Sequence, residues 1–272
     1  MCQVLEVSRS GYYAWRKRPK SQRERSNEKL LQEISDSHRR SHGIYGVRKI
    51  TQELRRNHKC SKNRVHRLMK KHGIKSRRFR KYKTTTNSKH NYPVAENILG
   101  QYTNFTRPNQ AWAADITYIW TKEGWMYLAT VIDLCHRKIV GWAIDKTMNK
   151  ELVINALNRA ICNEKPPPGL IHHSDQGVQY ASHAYQILLK EHGFIPSMSR
   201  KGNCYDNAYK ESFFSSLKCE MVHLNNFETR KEAKNAVFEY IEIFYNRMRL
   251  HASLGYLSPL EYENRIKEIL AA

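Results

Sequence analysis

The stretch Asn207-Ala-Tyr-Lys-Glu-Ser-Phe-Phe-Ser-Ser-Leu-Lys218 predicts a helix with two chemically different sides. Asn207 is a favourable N-cap, because its amide oxygen can accept hydrogen bonds from the unpaired N–H groups of the first turn. Glu211 shares one side of the helix with Ser215 and Lys218. A solvated surface helix would have the same pattern, so Glu211 needs support from elsewhere in the chain. Apolar side chains recur every fourth residue along the other face: Tyr209, Phe213, Leu217 and Met221.

Two more carboxylates occupy apolar strands upstream. Gly169-Leu-Ile-His-His-Ser-Asp175 is typical of a short buried strand, and Trp112 to Trp120 is typical of a longer strand with Asp115 near its middle. A carboxylate in an apolar strand is costly to bury unless it is paired or binds a cation. Asp115 and Asp175 are separated by 59 residues, and Asp175 and Glu211 by 35 residues. These three acidic residues therefore need a common explanation.

Four motifs surround the acidic residues, and together they resemble a known family. They are Trp-x-x-Asp-Ile-Thr-Tyr-Ile from Trp112, Val-Ile-Asp-Leu from Val131, His-Ser-Asp-Gln-Gly-Val-Gln-Tyr from His173 and Asp-Asn-Ala-x-x-Glu-Ser-Phe-Phe-x-x-Leu-Lys from Asp206. This set resembles the integrase-type transposases of bacterial insertion sequences, in particular the downstream-frame (orfB) subunit of the two-frame group. The resemblance covers essentially the whole chain, and the 35-residue spacing is the one after which the acidic triad of that superfamily is named.

The resemblance implies a magnesium-dependent polynucleotidyl transferase that cleaves and joins DNA strands during transposition and DNA integration. It implies that Asp115 bridges two Mg²⁺ ions, that Asp175 completes one site and Glu211 the other, and that Mn²⁺ can substitute. Two ions about 4 Å apart can activate one oxygen of a phosphoryl transfer and stabilise the other. Magnesium suits such a site, because it binds a few carboxylates and keeps positions for water and phosphate.

Two other functions remain open from the residues alone. A catalytically inert, sequence-specific DNA-binding regulator would use only the basic arm, although nothing obliges a repressor to keep three carboxylates at these spacings. A ribonuclease H-type or structure-specific nuclease would use the carboxylates but has less need of a long basic segment.

The charge of the chain indicates a polyanionic partner. The 272 residues carry a formal net charge of +22, and residues 1–100 hold 27 Lys and Arg against 7 Asp and Glu. Residues 101–272 hold 20 against 18. A basic arm joined to a nearly neutral body is typical of nucleic-acid binding. The six cysteines form no Cys-x-x-Cys pair, and no signal peptide or long apolar run is visible, so we expect a cytoplasmic protein without membrane contact. The resemblance further implies a bacterial, nucleoid-associated protein.

The basic arm contains three predicted helices, at residues 27–40, 47–57 and 62–72, the last capped by Ser61. Their short connections predict a helix-turn-helix unit whose third helix enters the major groove of DNA. A solvated basic helix that only neutralises phosphates is the alternative, since the sequence does not separate base readout from phosphate contact. The tether that follows adds Arg77 and Arg78 as phosphate contacts. The predicted DNA-binding residues of the third helix are Lys62, Asn63, Arg64, Arg67 and Lys71.

The body alternates strands and helices in the order of the ribonuclease H-like fold. Strands are predicted at 111–120, 125–135, 138–145, 169–175 and 194–198, and helices at 150–163, 183–192 and 230–247 besides the helix of Glu211. The expected fold is α/β, a mixed five-stranded sheet with flanking helices, preceded by the small all-α region. The predicted domains are 1–26 (the end of an N-terminal helical module and a linker), 27–74 (helix-turn-helix), 75–108 (basic linker) and 109–272 (catalytic domain with its C-terminal helix).

Several polar residues outside the triad have two possible roles each. Asp133 is expected to make structural hydrogen bonds, and His173 either orients a bound water or DNA or is a core histidine. Lys218, in the helix of Glu211, is a predicted DNA contact, with solvation as the alternative. Lys201, in the loop Ser199–Asn203, is a second predicted DNA contact. Near the carboxyl terminus, DNA or subunit contact competes with packing of the terminal loop for Arg247, Arg249 and His251.

The expected partners follow from the resemblance. They are the terminal inverted repeats of the element, target DNA, further copies of the chain on DNA, and an upstream-frame protein or fusion. The sequence does not specify the terminal repeat, the target preference or the number of copies in the multimer.

Overall fold

A computed structural model describes residues 2, 4–77, 95–99, 105–199 and 208–271, without the side chains of residues 208–211. The chain divides into two compact units, Met1–Arg77 and Arg78–Ala272. None of the helices in the described ranges is long and apolar enough to cross a lipid bilayer.

The first unit is helical. Its elements are α1 (Arg9–Lys17), α2 (Gln22–Arg40), α3 (Val47–Leu54) and α4 (Lys62–Lys71). The three helices predicted from the apolar periodicity are confirmed, although α3 ends three residues earlier than expected. Helices α2 to α4 enclose a small core of buried side chains: Leu30, Ile34, Ile44, Tyr45, Ile50, Leu54, Val65, Leu68 and Met69.

Serine side chains cap three of these helices. Ser8 Oγ accepts from the backbone N–H of Gly11 at 3.0 Å, and Ser61 Oγ accepts from that of Arg64 at 3.2 Å, as predicted for Ser61. At the start of α2, Ser21 Oγ accepts from Glu24 N at 3.2 Å, and Glu24 Oε2 accepts from Ser21 N at 2.8 Å. This reciprocal capping box satisfies two N–H groups at once. The expectation that α2 begins at residue 27 was therefore wrong, because the box starts the helix at Gln22.

The second unit contains a mixed five-stranded sheet in the order β3-β2-β1-β4-β5. Neighbours β1–β2 and β2–β3 are antiparallel, whereas β1–β4 and β4–β5 are parallel. The predicted ribonuclease H-like sheet is confirmed, with strand ends within two residues of expectation. The bounds are β1 (Ala111–Thr121), β2 (Gly124–Asp133), β3 (Ile139–Asp145), β4 (Ile171–Ser174) and β5 (Ile195–Met198).

One face of the sheet packs against helices α5 (Lys150–Glu164), α6 (Val178–Ala181) and α7 (His183–Glu191). Gly141 lets β3 approach α5 closely, because a Cβ there would lie 2.3 Å from the backbone oxygen of Ala156. The short α6 was not predicted, since four residues are too few to show a helical period.

The remaining helices complete the second unit. They are α8 (Ala208–Glu220), α9 (Arg230–Phe238), which leads into a π-helical segment (Glu239–Tyr245), and α10 (Pro259–Ala271). The single helix predicted over 230–247 is therefore divided, with Asn246 N donating to the carbonyl of Ile241, five residues earlier. Helix α10 was missed.

Candidate active site

The parallel pairing of β1 and β4 brings two of the predicted acidic residues to the same part of the sheet. Trp112 pairs with His172 and Ala113 with His173. Asp115 and Asp175 each follow two residues after that last pair, and neighbouring strands lie about 4.8 Å apart. Although 59 residues separate them in the sequence, the two half-buried carboxylates lie on neighbouring backbone segments.

Local hydrogen bonds orient both carboxylates. Asp115 Oδ1 accepts from the backbone N–H of Ile116 at 2.8 Å. Asp175, immediately after β4, accepts through Oδ1 from Gly177 N at 2.9 Å. Glycine is needed at 177 for this approach, because a Cβ there would lie 2.9 Å from the same carboxylate oxygen.

The phenol of Tyr180 interacts electrostatically with both carboxylates. Burial raises the pKa of its phenol well above the usual value, and Tyr185, Asp115 and Asp175 raise it further. Sequence reasoning assigned no role to Tyr180, although it ends the His-Ser-Asp-Gln-Gly-Val-Gln-Tyr motif. The signal was therefore present, but its meaning depends on burial, which the motif does not encode.

Helix α8 places Lys218 beside Asp115. The Lys218 side chain is only 4% exposed, and its Nζ lies 5.0 Å from the centre of the Tyr118 ring. Burial lowers the pKa of Lys218, while Tyr118 and Asp115 act in the opposite direction. Simple solvation of Lys218 is excluded by this burial. The buried apolar residues Phe213, Leu217 and Met221 confirm the predicted packed face of the helix.

The third predicted ligand, Glu211, lies in α8, but its side chain is outside the described part of the structure, as are Asn207 and Asp206. Among the described side chains, no group of three His, Cys, Asp or Glu residues converges as a metal site. The donors that are described fit magnesium, because it prefers carboxylate oxygens and retains its own waters. Tyr180 Oη supports this fit: it is buried without a hydrogen-bond partner among the described atoms, and the charges of both aspartates act on its phenol.

Comparison with protein families and known proteins identifies the chain. Two models described as "Integrase core domain" match residues 106–204 and 211–266, and one described as "HTH-like domain" matches residues 25–82. "Transposase InsF for insertion sequence IS3A" from Escherichia coli (strain K12) is 41% identical over 268 residues, which cover 97% of this chain and 93% of that protein. The chain belongs to the insertion-sequence transposases with an integrase core.

A second relative and one solved structure agree with this assignment. The transposase is 46% identical over 272 residues, the full length of both chains, to the "Insertion element IS600 uncharacterized 31 kDa protein" of Shigella sonnei. Its fold is similar to that in the cryoEM structure of the simian T-cell lymphotropic virus intasome in complex with PP2A regulatory subunit B56 gamma. The TM-score is 0.50 at 16% identity, and the match covers 85% of this chain and 74% of that one. The inert-regulator alternative receives no support from any of these matches.

In the transposase, Asp133 has the structural role expected for it. Its side chain is fully buried. Oδ2 accepts from Asn109 N at 2.7 Å, and Oδ1 accepts from Cys135 N at 2.8 Å. The Nε2 atom of His136, which is also fully buried, lies 3.7 Å from Asp133 Oδ2. The prediction of a hydrogen-bonding role is therefore confirmed.

The second alternative for His173, a core histidine, matches its surroundings. The side chain is fully buried, and its Nδ1 lies 2.9 Å from Ser197 Oγ on β5. Ser197 Oγ in turn accepts from the backbone N–H groups of Ile98 and Leu99. His173 therefore ties β4 to β5 and to the segment that precedes β1.

Two of the predicted carboxyl-terminal DNA contacts are instead engaged inside the transposase. Arg249 donates to Glu220 through Nε (2.8 Å) and Nη2 (2.6 Å), and Nη2 also donates to Ser216 Oγ at 2.9 Å. His251 is buried against the Tyr245 ring, with ring centres 5.1 Å apart. These contacts match the alternative of packing by the terminal segment, and DNA contact by Arg249 and His251 stays a prediction. Arg247 is exposed.

The predicted DNA-binding residues of the first unit divide in a similar way. Four of the α4 side chains are exposed, as is Arg77, whereas Arg64 is partly buried. Arg64 donates through Nε to Asn27 Oδ1 (2.9 Å) and through Nη2 to Ser26 Oγ (2.8 Å). Its guanidinium therefore joins α4 to α2. Arg78 and Lys201 lie outside the described residues. The exposed α4 residues are Lys62, Asn63, Arg67 and Lys71.

Proposed function

We propose that the transposase hydrolyses a phosphodiester at each end of its insertion sequence to free a 3′ hydroxyl, using Asp115, Asp175 and Glu211 as catalytic metal ligands. That hydroxyl then attacks a phosphodiester of the target DNA, which joins the two strands and releases a target 3′ hydroxyl. The observation that carries this proposal is the β1–β4 register, which brings Asp115 on β1 next to the backbone at the end of β4, where Asp175 follows. Neighbouring carboxylates repel each other, and a cation bound by both removes that repulsion. Glu211 completes the set by its position in the first turn of α8.

The protein groups have separate tasks in this mechanism. Asp115 and Asp175 would hold two Mg²⁺ ions, with Mn²⁺ as a substitute, and Glu211 would close the site. When bound, such ions activate the attacking oxygen and stabilise the leaving oxygen of an in-line displacement. Through such ions the carboxylates would orient the reacting phosphate, and the backbone N–H groups of Ile116 and Gly177 each donate to one oxygen of a carboxylate.

Lys218 would supply positive charge at the edge of this site. Its ammonium is held by the Tyr118 ring and lies near Asp115. Burial disfavours the charged form of Lys218. A phosphate that enters the site would stabilise the ammonium, as water does for an exposed lysine. We therefore place Lys218 next to the DNA phosphate rather than in bulk solvent.

The first unit would bind the terminal inverted repeats. The proposed domain bounds remain 1–26, 27–74, 75–108 and 109–272. Phosphate neutralisation by this basic arm gives affinity, and base contacts from α4 give specificity. We further propose that the transposase acts as a multimer on DNA, with an upstream-frame protein as partner or fusion. The α4 contacts are assigned to Lys62, Asn63, Arg67 and Lys71, with Arg77, Arg78, Lys201 and Arg247 as additional phosphate contacts.

A cleavage and joining assay tests the catalytic assignment. A duplex oligonucleotide that carries a terminal inverted repeat is incubated with the full chain, with and without MgCl₂, and products are separated on a denaturing gel. We expect Asp175→Asn to reduce joined product by at least about 100-fold. Substitution of residues that only hydrogen-bond to a metal ligand costs up to about 100-fold in activity, and loss of a ligand should cost at least as much. DNA binding should be preserved, because the substitution leaves the basic arm unchanged.

Asp145→Asn is the matched control, since Asp145 is an exposed aspartate at the end of β3. This variant should join DNA as the wild type does. Substantial strand transfer by Asp175→Asn in magnesium would refute the assignment. Hydrolysis without joining by the wild type would favour a nuclease, and DNA binding without either reaction would favour a regulator.

A further inference from the structure

The Tyr180 hydroxyl is a buried polar group without a partner in the part of the chain that the structure describes. The residue is 1% exposed, and its ring packs edge-to-face on Tyr185 with centres 5.4 Å apart. Its Oη has no hydrogen-bond partner among the described atoms. Buried hydroxyl groups in folded proteins are nearly always hydrogen-bonded, because desolvation without a partner is costly.

The neighbouring tyrosine shows the usual solution. Tyr185 is equally buried, but its hydroxyl lies 3.1 Å from His172 Nε2. The two phenols belong to the same core, so general packing does not explain why only one of them lacks a partner.

Tyr180 is tied to the acidic site through the backbone. Its N–H donates to the carbonyl of Gly177 at 3.0 Å, and Gly177 N donates to Asp175 Oδ1. Burial raises the pKa of the phenol, and Tyr185, Asp115 and Asp175 raise it further. A phenol hydroxyl can donate a hydrogen bond to a carboxylate, which only accepts.

We propose that Tyr180 is a positioning residue of the acidic site, whose hydroxyl donates a hydrogen bond to a carboxylate oxygen of Asp115 or Asp175 when these side chains turn to bind a divalent cation. This inference rests on the proposed function, because it requires that the two aspartates bind such a cation. Groups that hydrogen-bond to metal-binding carboxylates orient them and strengthen metal binding. In the absence of the cation, the same hydroxyl is an unsatisfied buried group, which destabilises the fold slightly.

The two tyrosines provide a matched pair of substitutions for the test. The probe is Mn²⁺, with free Mn²⁺ counted by electron paramagnetic resonance during titration of the full chain. Thermal unfolding is measured in parallel in EDTA. For Tyr180→Phe we expect Mn²⁺ affinity to fall by about 10- to 100-fold, with a melting temperature in EDTA equal to or above that of the wild type. For Tyr185→Phe we expect unchanged Mn²⁺ affinity and a lower melting temperature, because His172 loses its partner.

The outcomes separate this inference from the function beneath it. If the wild type binds Mn²⁺ and Tyr180→Phe binds it equally well, the positioning role is refuted while the metal site stands. A lower melting temperature of Tyr180→Phe in EDTA with unchanged affinity would likewise make Tyr180 an ordinary core residue. If the wild type and Asp175→Asn bind Mn²⁺ alike, the acidic pair is not a metal site, and both proposals fail.

Discussion

At the scale of single residues, three aspartates on neighbouring strands have different surroundings. Asp115 and Asp175 are half-buried, and each accepts one backbone hydrogen bond given above, whereas Asp133 is fully buried and accepts from Asn109 and Cys135. Burial raises the pKa of Asp133, while His136 and the backbone donors act against that rise. A carboxylate surrounded by its own protein's donors has little left to offer a ligand. Of these three aspartates, Asp115 and Asp175 are therefore better suited than Asp133 to the proposed cation site.

This contrast predicts the effect of replacing Asp133. Asp133→Asn removes one acceptor oxygen and the charge that its donors face, so we expect a loss of about 1.5–3 kcal/mol in the free energy of unfolding, the range for hydrogen bonds to charged groups. Urea denaturation of the full chain, followed by circular dichroism, measures this change. Asp145→Asn should leave stability unchanged. An unchanged midpoint for Asp133→Asn would show that these hydrogen bonds contribute nothing net.

At the scale of elements, a buried ion pair fixes helix α8 against the chain end. Glu220, in the last turn of α8, accepts two hydrogen bonds from Arg249 and a third, at 2.8 Å, from Tyr240 Oη. Tyr240 belongs to the π-helical segment, so the network joins three elements. Glu211 and Lys218 lie on the same helix, so the network fixes the helix that carries two residues of the proposed site.

Breaking the pair is expected to be costly. Arg249→Met leaves the Glu220 carboxylate buried and unpaired, and removal of one partner of a buried pair costs about 3–5 kcal/mol. The double variant Arg249→Met/Glu220→Met should recover part of that loss, since no unpaired charge remains. Guanidinium chloride denaturation measures both variants, with the exposed Arg247→Met as control. If Arg249→Met alone is as stable as the wild type, the ion pair does not fix α8 against the chain end.

The elements also show what the sequence could predict. Strand positions were predictable because alternation and apolar runs are local properties of the sequence. The apolar face of α8 was predictable for the same reason. The role of Arg249 was not, because Glu220 is 29 residues away and the Arg-rich motif alone fits DNA equally well. The hydrogen bonds of Arg64 were unpredictable for the same reason, since its partners Ser26 and Asn27 belong to another helix.

At the scale of the whole molecule, the excess positive charge and the acidic pair lie in different parts of the chain. The excess positive charge lies in residues 1–100, and the acidic pair lies in the second unit. The sequence predicts this division because charge counts need no three-dimensional information. It could pair Asp115 with Asp175 only through family motifs, since the parallel β1–β4 register spans 59 intervening residues. Nothing in composition or periodicity encodes that register.

The central claim is that Asp115 and Asp175, together with Glu211, hold divalent cations. Anomalous X-ray scattering from crystals of the full chain soaked in MnCl₂ tests it most directly. We predict a manganese peak about 2.0–2.2 Å from carboxylate oxygens of both Asp115 and Asp175, close to the range for small divalent ions, and no peak there in Asp175→Asn. Manganese bound elsewhere, with neither aspartate among its ligands, would contradict the claim.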